Sequence, residues 1–526
     1  MSNQSIYGKI KSAVGEDGKL PRDFTLAEDK RKPNQISFAP GAMDGIGVYH
    51  MVRGNEKGVV KSLGALFIKY FKSDSLGKEK YISEIETLLS ESRTLSVVDG
   101  VLDYIKSKRG SVKAESIVEA AVELSQTSDK IEVVKTAIAL FGLFELGKIE
   151  EIVDIVLTLA LYDDFALYSV VAVLNWSDCN ALVFKIAQNV DGWGKIHAVE
   201  RLEPENEEIR QWILRKGCAN GVVDAYLGLV TAEKGDLISA LKQDSLDSEL
   251  FDGISIIVNA MLDEGPTTGI SGYSQAGDAL RLYLNHAEKQ AVSIRHLSYV
   301  LALQSWAESL NEENDGDYFE DCTKLKSDVM TSCAKIADNS KWRDKIVAAI
   351  NNREYDRESL VNFNMAADAA RQLNIDVNAE LFDAVKANPL EYSWQMSRLM
   401  EVPELAEEIV ELCESVLPLD KMSSGMGDYM FPDDYREEHN CLDIVLQQLS
   451  NMPLKGVKLV KCGLNSPVIR NRNMAIKAMT GWTKSLGKPL SEISAELYDE
   501  VMRIREIEVN DSAKENIEKL LTGIQK

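Results

Sequence analysis

The segment FAPGAMDGIGVYH at residues 38–50 is the first part of the chain whose residue types and spacing could support chemistry. It places three glycines within seven positions, together with one acid and a terminal histidine. A phosphate-binding loop requires a lysine and a hydroxyl residue directly after its last glycine, whereas Val48 follows Gly47. A dinucleotide-binding turn requires a third glycine where His50 stands. The segment therefore fits neither nucleotide-binding pattern.

Two interpretations of this segment stay open. In the first, Pro40 and Gly41 form a turn, and Asp44 caps a helix that begins near Gly45. In the second, Asp44 and His50 line a pocket at the amino-terminal end of the molecule. The first needs only ordinary turn and capping preferences, and the second would make the segment a binding site.

Three further candidates for a pocket, Trp193, His197 and Arg201, fall within the single predicted helix WGKIHAVERL. His197 and Glu200 are spaced to share a helix face, but the zinc motif H-E-x-x-H occurs nowhere and the chain has only five histidines. We therefore interpret His197 as a hydrogen-bonding residue at the surface or between repeats. No G-x-S-x-G nucleophile motif occurs either. We predict no catalytic residue, no metal site and no cofactor, which favours a protein that is not an enzyme.

The charge of the chain restricts the classes of partner. Its 526 residues carry 83 acids and 59 bases, a formal net charge of −24. Such a surface repels phosphate backbones and anionic lipid headgroups, so we expect a protein partner rather than nucleic acid or a membrane. Seven cysteines without a C-x-x-C pair are typical of reduced thiols, and the sequence has no signal peptide or membrane-length apolar run. These features predict a cytoplasmic protein and set no oligomeric state.

The elements that would position any site come from a repeat. Four segments between residues 131 and 241 can be superimposed: KTAIALF, YSVVAVLNW, IHAVERLEP and DAYLGLV. Their equivalent positions Leu140, Leu174, Leu202 and Val230 lie 34, 28 and 28 residues apart. Two helices per unit of roughly 30–40 residues are typical of an α-solenoid, whose stacked helix pairs share one lengthwise core. The spacing predicts an all-α fold from residue 59 onward.

Two segments carry a resemblance to a known class of repeat. SPVIRNRNMAIKAM at 466–479 and WGKIHAVERL at 193–202 share a small or polar start, a basic residue and alanine among aliphatic side chains. In this they resemble helices of HEAT repeats, and the resemblance covers residues 60–526. It implies a HEAT-like or armadillo-like solenoid, which is a right-handed α–α superhelix with an elongated concave face. The predicted parts are an extended, turn-rich segment at 1–58 and two solenoid parts at 59–310 and 311–526, the second with a basic end region.

Acids and bases are segregated near the carboxyl end of the sequence. Residues 444–491 contain eight bases and no acid, whereas the stretch between Arg398 and Lys421 contains seven acids and no base. The bases are Lys455, Lys458, Lys461, Arg470, Arg472, Lys477, Lys484 and Lys488. In one interpretation the acidic and basic helices are neighbours that neutralise each other. In the other, a corner formed by Lys455, Lys458, Lys461, Arg470 and Arg472 binds an acidic protein segment or a phosphorylated ligand.

The favoured function is a non-enzymatic scaffold that binds a protein or other acidic partner on its concave face or at the basic corner. Two alternatives are retained. The first is a HEAT-like enzyme acting on nucleic acid, similar to the alkyl-base glycosylases, with Trp193, Arg201 and Trp212 as local candidates. The net charge argues against it. The second is a small-molecule-binding protein that uses the segment at 38–50.

Overall fold

The computed structural model of the protein describes residues 5–26, 38–51, 57–316, 318–319, 321–338, 340–354, 356–430, 432 and 434–522. Every regular element in these ranges is a helix, and one isolated parallel bridge joins Tyr429 to Val468. Consecutive helices contact each other along the chain, as the paired segments of the sequence require. The prediction of an all-α superhelical solenoid is confirmed. In the described part of the chain, no helix combines the length and the apolar character needed to cross a bilayer.

Contacts divide the chain into two units. The first holds the described residues up to 292 and those of 299–338, and the second holds 293–298 and 340–522. The predicted boundary at 310–311 lies inside the stretch 299–338, which belongs to the first unit. The helices up to residue 338 are α1 (Ile6–Ala13), α2 (Ala42–His50), α3 (Lys57–Lys72), α4 (Ser75–Ser92), α5 (Thr94–Ser107), α6 (Ala114–Thr127), α7 (Ile131–Phe141), α8 (Glu150–Ala160), α9 (Asp163–Val173), α10 (Cys179–Asn189), α11 (Gly192–Arg201), α12 (Glu207–Trp212), α13 (Ala225–Lys234), α14 (Leu237–Leu241), α15 (Ser248–Met261), α16 (Ala276–Gln290), α17 (Ile294–Ser309), α18 (Glu312–Asp315) and α19 (Cys322–Ala337). Those of the second unit beyond residue 340 are α20 (Lys341–Asn351), α21 (Arg357–Gln372), α22 (Asn378–Ala387), α23 (Ser393–Leu399), α24 (Pro403–Val416), α25 (Leu419–Met422), α26 (Arg436–Gln448), α27 (Val457–Leu464), α28 (Ile469–Leu486), α29 (Leu490–Ile493), α30 (Ala495–Ile507) and α31 (Asp511–Thr522).

Two layers of helices build the centre of the first unit. Helices α5, α7, α9, α11 and α13 lie side by side in one layer, which we call the α5–α13 layer, and α6, α8 and α10 lie side by side in the other. Helices α7 and α9 are largely enclosed, with nine and eight of their eleven residues buried, because each has neighbours in both layers. The alternation of two amphipathic segments in the sequence thus becomes an alternation between layers.

Carboxylates fix the register between neighbouring helices of the α5–α13 layer. Glu132 of α7 accepts a hydrogen bond of 2.6 Å from the amide of Thr94, the first residue of α5. Asp163 of α9 accepts from the amides of Trp193 and Gly194, at 3.2 and 3.3 Å, in the first turn of α11. These amides have no partner within their own helices, and the positive end of a helix dipole attracts a carboxylate. Each contact therefore ties the start of one helix to the first turn of its neighbour.

Helix α28 is the centre of the end region of the second unit, where it contacts α26, α27 and α31. Its Arg472 forms a completely buried bidentate ion pair with Glu508, with Nε–Oε2 and Nη2–Oε1 distances of 2.7 and 2.8 Å. Arg472 also donates to the carbonyl of Ser466 at 2.9 Å, and Glu508 accepts from the amides of Val509 and Asn510. Burial of these two charges is tolerated because both are paired and further hydrogen-bonded.

The composition of the first 58 residues predicted an extended segment. Their described part instead contains two helices, α1 and α2. Helix α1 lies against α6 and α8 and buries Tyr7 and Ile10 there. The chain then passes the turn between α8 and α9, where the ring of Phe24 meets Tyr162 edge-on and the amide of Leu26 donates to Tyr162 Oη at 3.2 Å. Helix α2 lies on the α5–α13 layer, so this part of the chain contacts both layers.

A tight contact in the first unit yields a stability prediction. A methyl group added at Gly253 of α15 would lie 2.3 Å from the carbonyl oxygen of Leu214 and 2.7 Å from the Cα of Arg215, which are backbone atoms that a rotamer change cannot move. We expect Gly253→Ala to lower the free energy of unfolding by about 1–3 kcal/mol. The matched substitution Gly58→Ala in α3, where nothing lies within 4 Å, should be neutral or slightly stabilising. Urea unfolding followed by circular dichroism measures both, and equal effects would contradict the packing described.

Candidate functional site

Helix α2 begins earlier than the capping interpretation predicts. Gly41 precedes it with a φ of 73°, a left-handed conformation that glycine adopts without penalty, and the helix starts at Ala42. Asp44 lies in the first turn and caps nothing. The prediction that Asp44 caps a helix beginning near Gly45 is therefore wrong, because its carboxylate points to another helix.

The carboxylate of Asp44 belongs to a buried cluster around the ammonium of Lys135 in α7. The Lys135 Nζ atom lies 2.8 Å from Asp44 Oδ2, 3.0 Å from Glu132 Oε1 and 3.2 Å from Asp164 Oδ1. Tyr168 donates a hydrogen bond of 3.2 Å to Asp44 as well. Burial alone would lower the pKa of Lys135, but the three carboxylates raise it above its ordinary value. Burial raises the pKa of Asp44, although the positive charge of Lys135 opposes that shift. One cation thus holds three acids from α2, α7 and α9.

The glycines of α2 allow its backbone to lie directly on the α5–α13 layer. A Cβ at Gly45 would lie 2.1 Å from the ring carbon Cε3 of Trp193 in α11, and a Cβ at Gly47 would lie 2.6 Å from Cδ2 of Leu95 in α5. Any larger residue at either position would separate α2 from the layer. The glycine spacing that resembled a nucleotide-binding loop is therefore required by close helix packing.

The end of α2 lies among aromatic residues of α11 and α13. His50 Nε2 lies 2.8 Å from the hydroxyl of Tyr226. The ring of Tyr49 is parallel to that of His197, at 9° and 6.3 Å between centroids, and Trp193 lies on the same imidazole at 6.2 Å. These contacts bring together residues that are about 150 positions apart in the sequence.

His197 is the least satisfied polar residue of this contact. Its side chain is almost completely buried, and neither ring nitrogen has a hydrogen-bond partner among the described residues. Burial, together with the charge of Arg201, lowers its pKa to about 3. Arg201 itself donates to Glu200 Oε2 at 2.7 Å, and the same oxygen accepts from the hydroxyl of Tyr49 at 3.0 Å.

The structure therefore brings all five pocket candidates, Asp44, His50, Trp193, His197 and Arg201, to the surface between α2 and the α5–α13 layer. The backbone of α2 and the ring of Tyr49 fill the space between them. Sequence reasoning missed Lys135, although a single lysine within the apolar stretch VVKTAIALF was an available signal. Trp212, a candidate of the nucleic-acid alternative, packs edge-on against Phe184. Within the described ranges, no group of three or more His, Cys, Asp or Glu side chains is placed to hold a metal.

In the second unit, each of the five predicted anion-binding residues faces an acid. The pairs are Lys455–Glu407 at 2.8 Å, Lys458–Glu414 at 3.4 Å, Lys461–Glu496, Arg470–Asp443 at 2.6 Å and Arg472–Glu508 at 2.7 Å. Two of these acids, Glu407 and Glu414, come from the acidic run, which lies on α24. The placement favours the interpretation in which neighbouring acidic and basic helices neutralise each other.

The other three bases of the acid-free segment have a different environment. Lys477, Lys484 and Lys488 line a cavity of about 900 Å³ between α28 and α31, and Lys519 approaches from the α31 side, where it pairs with Glu515 at 2.7 Å. We call this cavity the basic groove; its remaining lining residues are Asn473, Met474, Ile476, Thr480, Thr483, Gly487, Pro489, Asn516, Leu520, Leu521 and Thr522. None of these described lining residues is acidic, and no ion pair forms at Lys477, Lys484 or Lys488 within the described part of the chain. Charge segregation identified this region of the sequence, but it did not distinguish the five bases with acidic partners from the three that line the groove.

Arg472 should act as a structural residue rather than an anion-binding one. Glu508→Leu leaves a buried, unpaired guanidinium, and we expect it to lower the free energy of unfolding by about 3–5 kcal/mol. The double change Arg472→Met with Glu508→Leu should recover most of that loss, because neither charge then remains. Denaturant unfolding of the two variants tests this. A double variant as unstable as the single one would contradict the proposed pairing.

The pKa of His197 predicts a pH-dependent effect of its replacement. His197→Phe keeps a stacked ring and removes two unpaired nitrogens, so we expect it to raise the free energy of unfolding by about 1–3 kcal/mol at pH 7.5. Between pH 6.5 and 3 the unfolded chain binds a proton at His197 and the folded chain does not, so the wild type loses stability as pH falls. The advantage of the variant should therefore grow by about 2 kcal/mol at pH 5. Urea unfolding at the two pH values measures this, and a constant difference would show that His197 titrates normally in the folded protein.

Comparison with known proteins yields no family for this chain. No protein-family model matches the sequence, and a search of curated proteins found no match.

Proposed function

We propose that the protein is a non-enzymatic helical-repeat scaffold that binds an acidic segment of a partner protein in the basic groove. The observation that carries the proposal is the contrast among the eight bases of residues 444–491. Five of them have acidic partners, whereas Lys477, Lys484 and Lys488 have none among the described residues and surround one cavity. Unpaired cations around a cavity are free to form charge-assisted hydrogen bonds with a ligand.

The arrangement of the groove suits an extended acidic peptide. Lys477 and Lys484 are seven positions apart on α28 and so lie on one face of that helix, while Lys519 lies across the groove on α31. The hydroxyls of Thr480 and Thr483 donate to backbone carbonyls within α28, which leaves their oxygens able to accept from peptide amides. A cavity of about 900 Å³ is in the range of sites that hold small ligands or a few peptide residues.

The charge of the whole chain supports a protein ligand over nucleic acid. A local basic groove attracts an acidic segment, while a chain of net charge −24 repels the long phosphate backbone that would extend beyond the groove. The glycosylase-like alternative would need Trp193 and Arg201 exposed, but Trp193 is buried beneath α2 and Arg201 is paired with Glu200. The small-molecule alternative would need an open pocket at residues 38–50, which pack tightly against the layer.

The class of repeat and the compartment are parts of the same proposal. We assign the repeats to the HEAT or armadillo class on the helix patterns of residues 193–202 and 466–479. We place the protein in the cytoplasm because all seven cysteines are free thiols, six of them buried, which suits a reducing compartment.

Charge reversal within the chain tests the proposal with a matched control. We expect the triple variant Lys477→Glu, Lys484→Glu and Lys488→Glu to bind a fluorescein-labelled peptide of ten glutamates at least tenfold more weakly than the wild type, because six units of charge change at the groove. The control is Lys455→Glu, Lys458→Glu and Lys461→Glu, which changes the net charge equally at residues that already have acidic partners. It should retain binding and lose a little stability.

Fluorescence anisotropy measures both affinities, and binding by the wild type should weaken as salt rises. A ten-glutamine peptide of the same length should not bind. Equal loss in the two triple variants would indicate a general charge effect and refute the assignment to the groove. Tighter binding of a single-stranded oligonucleotide than of the acidic peptide would favour the nucleic-acid alternative instead.

A further inference from the structure

Helices α1 and α2 are held to the first unit by different forces. Helix α1 buries Ile6, Tyr7 and Ile10. Helix α2 fully buries only Ala42, Asp44, Gly45 and Gly47, none of which has a large apolar side chain; its apolar residues Met43, Ile46, Val48 and Tyr49 are half-buried, and the flanking Phe38 and Met51 are 47% and 55% exposed. Because the hydrophobic contribution scales with buried apolar area, the docking of α2 depends more on polar contacts and on shape than the docking of α1 does.

The polar contacts of α2 are specific and reach three helices of the layer. Asp44 pairs with Lys135 of α7, the hydroxyl of Tyr49 donates to Glu200 of α11, and His50 contacts the hydroxyl of Tyr226 in α13. A few directed polar groups around a closely packed centre are typical of a recognition surface rather than of a domain core.

The α5–α13 layer does not need α2 for its own charges to be satisfied. Without Asp44, Lys135 still has Glu132 at 3.0 Å and Asp164 at 3.2 Å. The capping contacts from Glu132 to Thr94 and from Asp163 to the start of α11 lie within the layer. Breaking a buried ion pair is usually costly because it leaves an isolated buried charge. Departure of α2 leaves no such charge, since Lys135 keeps two carboxylate partners.

His197 indicates that α2 is an incomplete ligand for this surface. Its imidazole is 1% exposed and lies against the ring of Tyr49, and both ring nitrogens lack partners among the described residues. Tyr49 directs its hydroxyl to Glu200 and offers only its ring to His197. A ligand with a hydrogen-bonding side chain at this position would satisfy a group that α2 leaves unpaired.

We propose that the α5–α13 layer is a helix-binding surface, that α2 is its built-in ligand, and that a short helix of a partner protein displaces it. The partner helix has the pattern Asp-Gly-x-Gly-x-polar: the acid reaches Lys135, the glycines allow contact with Trp193 and Leu95, and the last residue pairs with His197. This inference is independent of the basic groove, which lies in the second unit.

Release of α2 by a steric change tests the inference directly. Gly45→Val places methyl groups where the ring of Trp193 lies and should displace α2, whereas Gly58→Val, at a glycine with open space around it, is the matched control. The probe is a fluorescein-labelled peptide of residues 38–51. It should bind the Gly45→Val protein at least tenfold more tightly than the wild type or the Gly58→Val protein, whose surfaces are occupied.

Two modified peptides examine the recognition pattern. The peptide carrying Gly45→Val should not bind the Gly45→Val protein, because its own side chain prevents close contact. The peptide carrying Tyr49→Gln should bind more tightly than the unmodified one, because it supplies a partner for His197. A folded Gly45→Val protein that binds none of these peptides would overturn the proposal.

Hydrogen exchange of the unmodified full chain tests whether α2 opens independently of the layer. It needs no substitution, so it applies even if the Gly45→Val protein does not fold. Amides of α2 should exchange by local opening, faster than those of α7 and α9. If α2 exchanges only together with α7 and α9, it is part of the core and not an exchangeable ligand. Loss of peptide binding at the basic groove would leave both of these readouts unchanged.

Discussion

The first unit depends on the cost of burying one ammonium group. Lys135 is 4% exposed, and a buried cation is tolerated only when carboxylates surround it. Helices α2, α7 and α9 each supply one such carboxylate, so these three helices must approach one another at a single point. Glu132 and Asp164 meet that requirement within the layer, and Asp44 brings α2 to the same point, where its glycines allow close contact.

The second unit also buries a cation, Arg472, but pairs it with a single carboxylate. Arg472 and Glu508 neutralise each other completely, with every oxygen and most of the guanidinium hydrogen-bonded, whereas the Lys135 cluster holds three acids for one base. The first arrangement is suited to permanent packing. The second contains one carboxylate more than its cation strictly needs, and that carboxylate belongs to α2, which fully buries no large apolar side chain.

Periodicity predicted the architecture well because helix type and repeat length are local properties of the sequence. The exact register of the repeats was harder to predict from the sequence. Among the positions treated as equivalent, Leu140 and Leu202 are buried, whereas Leu174 is 41% exposed. The five pocket candidates do meet, but no local pattern indicates that residues 38–50 fold back onto partners near residues 135, 197 and 226. Among the eight bases, pairing depends on which helices become neighbours. Lys455 and Lys458 lie three positions apart yet pair with Glu407 and Glu414, seven positions apart on another helix.

The path of the amino-terminal segment has a consequence for how the protein is made. Helices α1 and α2 leave the ribosome before their partners Asp154, Trp193 and Tyr226, which are synthesised more than a hundred residues later. At about 5–20 residues per second, α2 must wait roughly 10–35 seconds for the last of these contacts. The rest of the stack can grow helix by helix behind it, since each pair needs only its predecessor. An early part of the chain thus waits for partners that are made later, and helices α5, α7, α9 and α11 are synthesised before Tyr226 of α13 completes the surface that receives α2.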